Sequence, residues 1–144
     1  YTDPNYSKDW VKWSRTFTGN LRNWCRGITV WNLALDEAGR PNIGPFPCGG
    51  LVTINSQTKA VSYSGQYHAI GHFSRFVKRD AVVVDSVGNK DAEVSHVAFV
   101  NPDGEKVLVL TNGGANAQTV KIRCDGRQIA LTLDADSVTT VSWH

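Results

Sequence analysis

The dipeptide Asp125-Gly126 constrains this chain more than any other feature, because of what flanks it. Before it runs "TVKIRC", with Val120, Ile122 and Cys124 on one face and Lys121 and Arg123 on the other; after it runs "RQIALTL", with Ile129, Leu131 and Leu133 alternating against Gln128, Ala130 and Thr132. Asp-Gly between two alternating runs signals a two-residue hairpin turn with positive φ at both central residues. The same grammar fills the chain from Asp80 onward. "DAVVVDSV" is an apolar run, "AEVSHVAFV" and "KVLVLTN" flank the turn residues Pro102, Asp103 and Gly104, and "SVTTVSW" alternates almost to the end. About six short strands follow one another with no room for helical crossovers, so they must pair antiparallel, and their one-sided apolar faces ask for a second layer. A β-sandwich over residues 80–144 is the expectation. Cys124, in phase with Val120 and Ile122, is expected to face its core as a thiol.

The first 79 residues follow a different rule. "DWVKWSRTFTGNLRNWCR" has few β-branched residues and places Trp10, Trp13, Phe17, Leu21 and Trp24 at spacings of three and four, a helical apolar stripe interrupted at Thr18-Gly19. A strand, "GITVW", follows, then a loop from Asp36 to Gly50 with three prolines and four glycines, then a strand-like "LVTIN". Next, "YSGQYHAIGHFSRFVKR" carries Tyr67, Ile70, Phe73, Ser74 and Val77 at helical spacing and ends in Lys78 and Arg79, which suit the negative end of a helix dipole. Helix, strand, long loop and helix is the order of the last units of an α/β barrel. A lone unit of that kind cannot bury both faces of its strand. The overall class is therefore mainly β with some α. The sequence has no methionine and begins at Tyr1, so it is read as a processed product or a piece of something longer.

Composition excludes several functions. A net charge of +2 arises from cations interspersed with acids rather than clustered, which argues against nucleic acid; Lys106, Lys121, Arg123 and Arg127 read as solvated strand faces. No apolar run approaches the ~20 residues of a membrane span. Cys25, Cys48 and Cys124 form no metal-ligand pattern; they are read as reduced thiols, with a Cys25–Cys48 bridge as the alternative. His68 and His72 share a helical face but have no third ligand at suitable spacing, and "NGGAN" (Asn112 to Asn116) leads into a strand, so it is a turn and not a phosphate cradle. No cofactor and no metal site are implied.

Four segments, "NWCRGITVWNLALDEAGRPN", "GPFPCGGLVTIN", "SGQYHAIGHFSRFVKRDAVVVDS" and "VAFVNPDGEKVLVLTN", occur in an order and spacing that resemble the C-terminal part of glycoside hydrolase family 30, which includes glucosylceramidases, β-glucosidases and β-1,6-glucanases. The resemblance implies a (β/α)8 barrel with an attached β-sandwich. Residues 1–79 would be the terminal segment of the barrel, with the eighth strand ending at Trp31 and the eighth helix around residues 64 to 77; residues 80–144 would be most of the sandwich. Active sites of such barrels lie at the C-terminal ends of the strands. By resemblance Trp31 lines the pocket for the sugar beside the scissile bond, where an indole offers an apolar face and one N–H donor. Asn42 and Phe46, from the following loop, are further expected substrate contacts.

A retaining glycosidase needs two carboxyl groups roughly 5 to 5.5 Å apart, and in this family both are glutamates of the fourth and seventh barrel strands. The chain has three glutamates, Glu37, Glu93 and Glu105, none at a matching position, so no catalytic residue is expected here. The implied partners are a carbohydrate (β-glucoside) substrate and an N-terminal barrel portion of the same enzyme. Two functions stay open: a segment of a β-glucoside hydrolase, or a stand-alone carbohydrate-binding or structural β-sandwich module without hydrolase activity. Any targeting signal would lie upstream, and the compartment is left open.

Overall fold

In the computed structural model, which describes residues 6–88 and 93–144, the six expected C-terminal strands are present. They are β4 (Val82–Val84), β5 (Val94–Val100), β6 (Lys106–Asn112), β7 (Gln118–Cys124), β8 (Arg127–Leu133) and β9 (Ser137–Trp143). Ala92, which begins the apolar run that became β5, lies outside the described residues. β4, β5, β6 and β9 form one antiparallel sheet in that order, and β7 and β8 form a separate hairpin. The turn between β7 and β8 has φ of +49° at Asp125 and +74° at Gly126, the backbone that Asp-Gly favours. The β5–β6 hairpin closes through Asn101 N–H to the Glu105 carbonyl, 2.8 Å, with Gly104 at φ +85°.

Strict alternation in β5 and β6 sends side chains to two different cores. Val97, Phe99, Val107 and Val109 point one way and join Phe17, Ala69 and Phe73. Leu108 and Leu110 point the other way and meet Leu133 of the β7–β8 hairpin. Val120, Ile122 and Leu131 pack against this second core, and Cys124 on the same face of β7 is a half-buried free thiol. Cys25 and Cys48 are free as well.

The first core is completed by helices α1 (Trp10–Arg22) and α2 (Gly65–Ser74). Phe17 of α1 meets Phe73 of α2 edge to face, ring centroids 5.8 Å apart. Burying a phenyl ring such as that of Phe17, 3% exposed, contributes about 1.5–3 kcal/mol. α1 is anchored to β6 by a buried hydrogen bond of 2.7 Å between the Ser14 and Thr111 hydroxyls. Ser64 caps α2, its hydroxyl accepting from the Tyr67 N–H at 3.1 Å. Gly65 sits where the starts of the two helices cross; a Cβ there would lie 2.6 Å from the Asp9 backbone nitrogen.

Three details depart from the sequence reading. α1 runs unbroken through Thr18-Gly19, since a single glycine costs a helix only about 1 kcal/mol and Thr18 is buried in the helix interface. The helix ends at Arg22, so Trp24 leaves the apolar stripe and stands exposed with φ +69°. Gly27–Trp31 makes no strand ladder; a parallel strand needs neighbours beside it, and none of the described residues supplies them. The strand expected at "LVTIN" is β2 (Val52–Ile54), but the sequence reading missed its partners: β1 (Ala34–Leu35) pairs with it parallel and β3 (Val61–Tyr63) antiparallel. Parallel pairing of β1 and β2 requires a long connection, and the loop from Asp36 to Gly50 provides it.

Candidate functional site

The segment from Trp24 to Phe46 carries a series of apolar side chains that the chain does not cover: Trp24, Trp31, Leu33, Ile43 and Phe46 are all exposed. Trp31 is 76% exposed and stands just ahead of the point where the backbone enters the small sheet, Leu51 N–H donating to the Asn32 carbonyl at 3.0 Å. Asn32, which the sequence reading did not single out, holds a left-handed backbone with φ +59°, and its Nδ2 is buried with no hydrogen-bond partner. A non-glycine residue in that conformation stores strain of order 1–3 kcal/mol, and an unpaired buried amide adds to it. The signal in the sequence was the Trp-Asn pair itself, because Asn tolerates the left-handed region better than other residues.

The loop that follows is built from its own polar side chains. Asp36 Oδ1 accepts from the Ala38 and Arg40 amides at 2.9 and 2.7 Å and so closes a tight turn with Gly39 at φ +75°. The Arg40–Pro41 peptide is cis. Asn42 and Phe46 are brought together: the Asn42 amide donates to the Phe46 carbonyl at 2.6 Å and accepts from the Gly44 N–H at 3.3 Å. That leaves the Phe46 ring turned out and exposed. Trp31 and Phe46 are thus both exposed rings, the latter on a loop whose shape Asp36 and Asn42 hold.

Two of the chain's glutamates are already engaged. Glu37 accepts from the Ser56 N–H at 2.8 Å, and the Ser56 hydroxyl and amide hold its carboxyl below the usual range. Glu105, at the β5–β6 turn, is likewise lowered, by the Ser142 hydroxyl first and then by Lys78, whose ammonium lies 3.2 Å away. A general acid needs its pKa raised, so both shifts run opposite to that role. His68 and His72 border a separate cavity of about 360 Å³ together with Trp10 and Asp136. His72 Nδ1 lies 3.0 Å from the Thr140 hydroxyl, which itself donates to the His72 carbonyl at 3.1 Å. With its one proton committed there, Thr140 accepts from Nδ1–H, so neutral His72 presents a bare Nε2. Among the described residues no three His, Cys, Asp or Glu side chains converge as a metal site, and no helix is long and apolar enough to cross a membrane.

These residues thus build an antiparallel sandwich backed by two helices, with exposed aromatic side chains on the loop beside it. Residues 80–141 match the glycosyl hydrolase family 30 beta sandwich domain. The chain carries that family's β-sandwich domain. It is 30% identical over 127 residues to an endo-1,6-beta-D-glucanase of Neurospora crassa, covering 81% of this chain and 26% of that protein. A putative glucosylceramidase of Caenorhabditis elegans is 33% identical over 119 residues, covering 77% of this chain and 23% of its own length. The chain therefore spans about a quarter of these relatives. Among solved structures, SrfJ from Salmonella typhimurium superposes with a TM-score of 0.91 at 30% identity, over 99% of this chain and 32% of its own. The endo-beta1,6-glucanase BT3312 gives 0.85 at 32% identity, over 93% and 31%.

Proposed function

We propose that the chain works as the C-terminal segment of a retaining glycoside hydrolase for β-linked glucosides, with residues 1–79 as the last strand and helix of its barrel and residues 80–144 as the sandwich that braces it. Trp31, Asn42 and Phe46 form part of the sugar pocket. The observation that carries this reading is Trp31 itself: an exposed indole beside the strained, unpaired Asn32, at the end of a run that lacks the neighbours to form a ladder. All three features are what a barrel strand end looks like when the rest of the barrel is elsewhere. The β-1,6-glucanases and glucosylceramidases among the relatives support β-linked glucosides as the substrate class.

Trp31 stacks on the sugar and donates one N–H, Phe46 extends the apolar wall, and Asn42 fixes the loop through the Phe46 carbonyl. The nucleophile and the acid/base come from outside these residues, because Asp36 is spent on its own turn and Glu37 on Ser56. A stand-alone module would have to keep Trp24, Trp31, Leu33, Ile43 and Phe46 in water, which makes it the weaker reading. In the longer enzyme, Trp31→Ala is expected to lose about 2–4 kcal/mol of transition-state stabilisation, comparable with one well-placed contact in a closed site. An unchanged kcat/KM with an aryl β-glucoside would make Trp31 an ordinary surface aromatic.

A further inference from the structure

Two histidines stand one turn apart on α2, and both border the cavity of about 360 Å³ that this helix shares with the turn between β8 and β9. Side chains four residues apart on a helix have Cβ atoms about 5–6 Å apart, so His68 and His72 can aim their imidazoles at a common point. Both rings are held. His72 donates Nδ1–H to the Thr140 hydroxyl at 3.0 Å, and that hydroxyl has given its own proton to the His72 carbonyl. The tautomer is thereby fixed, and Nε2 carries the lone pair. Burial pushes the His72 pKa down, so at neutral pH no proton occupies that lone pair. His68 packs edge to face against Tyr67 and Tyr63, ring centroids 5.6 and 6.2 Å away. The two imidazoles lie close enough for charge on one to disfavour charge on the other, so they suit one shared cation better than two protons. Among the described residues lining the cavity, Asp136 is the one carboxylate and none is lysine or arginine.

We propose that His68 and His72 form a site for one divalent ion of the zinc, nickel and copper class, seated over the junction of α2 and β9. Neutral imidazole nitrogens suit these metals, whereas magnesium and calcium ask for oxygen ligands. The two histidines supply two ligands. No third His, Cys, Asp or Glu converges with them among the described residues, so water fills the remaining positions. The cavity has room for it, a water taking about 30 Å³, and Asp136 adds negative charge at the rim. Thr140 is the outer partner: metal-bound histidines characteristically donate their second ring N–H to a neighbouring oxygen, which fixes the ring and raises the basicity of the ligating nitrogen. Because Thr140 belongs to β9, the ion ties successive turns of α2 to each other and, through His72, to the sandwich. The site is thus a clamp between a helix of one half of the chain and a strand of the other. It uses none of Trp31, Asn42 and Phe46 and does not depend on the proposed sugar pocket.

Nickel chloride titrated into the 144-residue chain by isothermal calorimetry tests this, with absorption spectra recorded in parallel. One Ni²⁺ per chain is expected, and saturating nickel should raise Tm by several degrees, because the native helix holds the metal better than the unfolded chain does. His68→Gln, at an exposed position, removes one ligand and should weaken binding by at least about tenfold while circular dichroism shows the fold kept. Thr140→Val keeps the shape of the side chain but frees the His72 tautomer, and should weaken binding by about 10–100-fold. A pair of surface histidines that merely happens to bind nickel would lose it in His68→Gln and keep it in Thr140→Val, so equal affinity in the threonine variant overturns the inference. So does affinity unchanged by His68→Gln, which would put the metal on His96 or His144. A sulfur-to-nickel charge-transfer band would put it on Cys25, Cys48 or Cys124 and refute the site equally, as would a Tm that nickel leaves unmoved. Should the short chain aggregate, the same comparison is made in the longer polypeptide, where only the difference between wild type and variant is read.

Discussion

Asn101 joins the two halves of the chain, and removing it measures how much they depend on each other. The residue is 2% exposed. Its Oδ1 accepts from the Lys78 N–H at 2.9 Å, and its Nδ2 donates to the Phe76 carbonyl at 2.9 Å and to Glu105 Oε2 at 3.1 Å. The first two partners are backbone groups of the segment leaving α2, so Asn101→Ala leaves a donor and an acceptor without partners in a partly buried seam. Each unpaired group costs about 1–3 kcal/mol. Because the seam is only partly buried, the lower half of that range applies to both, a total of about 2–4 kcal/mol. For a domain of this size a loss of 1 kcal/mol lowers Tm by about 3–4 °C, so the expected drop is roughly 6–16 °C. Urea unfolding followed by far-UV circular dichroism should show the midpoint falling with the slope unchanged, in one transition, because the first core draws Phe17, Ala69 and Phe73 from one half and Val97, Phe99, Val107 and Val109 from the other. A Tm shift below about 2 °C, or a second transition in which the helices melt separately, would refute the shared core.

Burial, and then the neighbouring His68, push the His72 pKa below its ordinary 6.5. The unfolded chain therefore binds the proton more readily, and the contribution of His72 to stability is complete above pH 6.5 and lost as pH falls through the window below it; Tm measured at pH 7.5 and 5.5 should fall more for the wild type than for His72→Gln, and equal falls would count against it. Gly65→Ala should destabilise by about 1–3 kcal/mol in thermal melts, since its Cβ would meet the Asp9 and Trp10 backbone nitrogens at 2.6 and 2.7 Å. Gly71→Ala, a helical glycine with nothing within 4 Å of its Cβ position, should instead stabilise by about 0.5–1 kcal/mol; matching signs for the two would show that the crossing of α1 and α2 is not tight.

The C-terminal strands were legible because each fact about them is local. A period of two and a turn such as Asp125-Gly126 settle strand, register and facing together, and Cys124 falls on the Val120 and Ile122 face as the alternation requires. α1 and α2 were equally plain from their stripes. The fate of Gly27–Trp31 was not, because five apolar-rich residues become a strand only if neighbours pair with them, and that depends on polypeptide that the stretch does not contain. β1 and β3 are two and three residues long, too short for any periodicity to mark them. In the candidate site, the role proposed for Trp31 came from the family resemblance, whereas the strain and the unpaired amide of Asn32 exist only in three dimensions. The pairing of Asn42 with the Phe46 carbonyl likewise depends on a loop conformation set by Asp36 and Gly39.

The central claim is that these residues furnish one wall of a pocket whose two carboxylates come from elsewhere in the same enzyme. The anomeric configuration of the first-formed product, followed by proton NMR during hydrolysis of an aryl β-glucoside, tests it most directly when the 144-residue chain and the longer polypeptide are assayed side by side. The account requires no turnover by the short chain and a β-configured product from the long one, as expected for two carboxyl groups roughly 5 to 5.5 Å apart. An α-configured product from the longer enzyme, or turnover by the pure 144-residue chain, would contradict it.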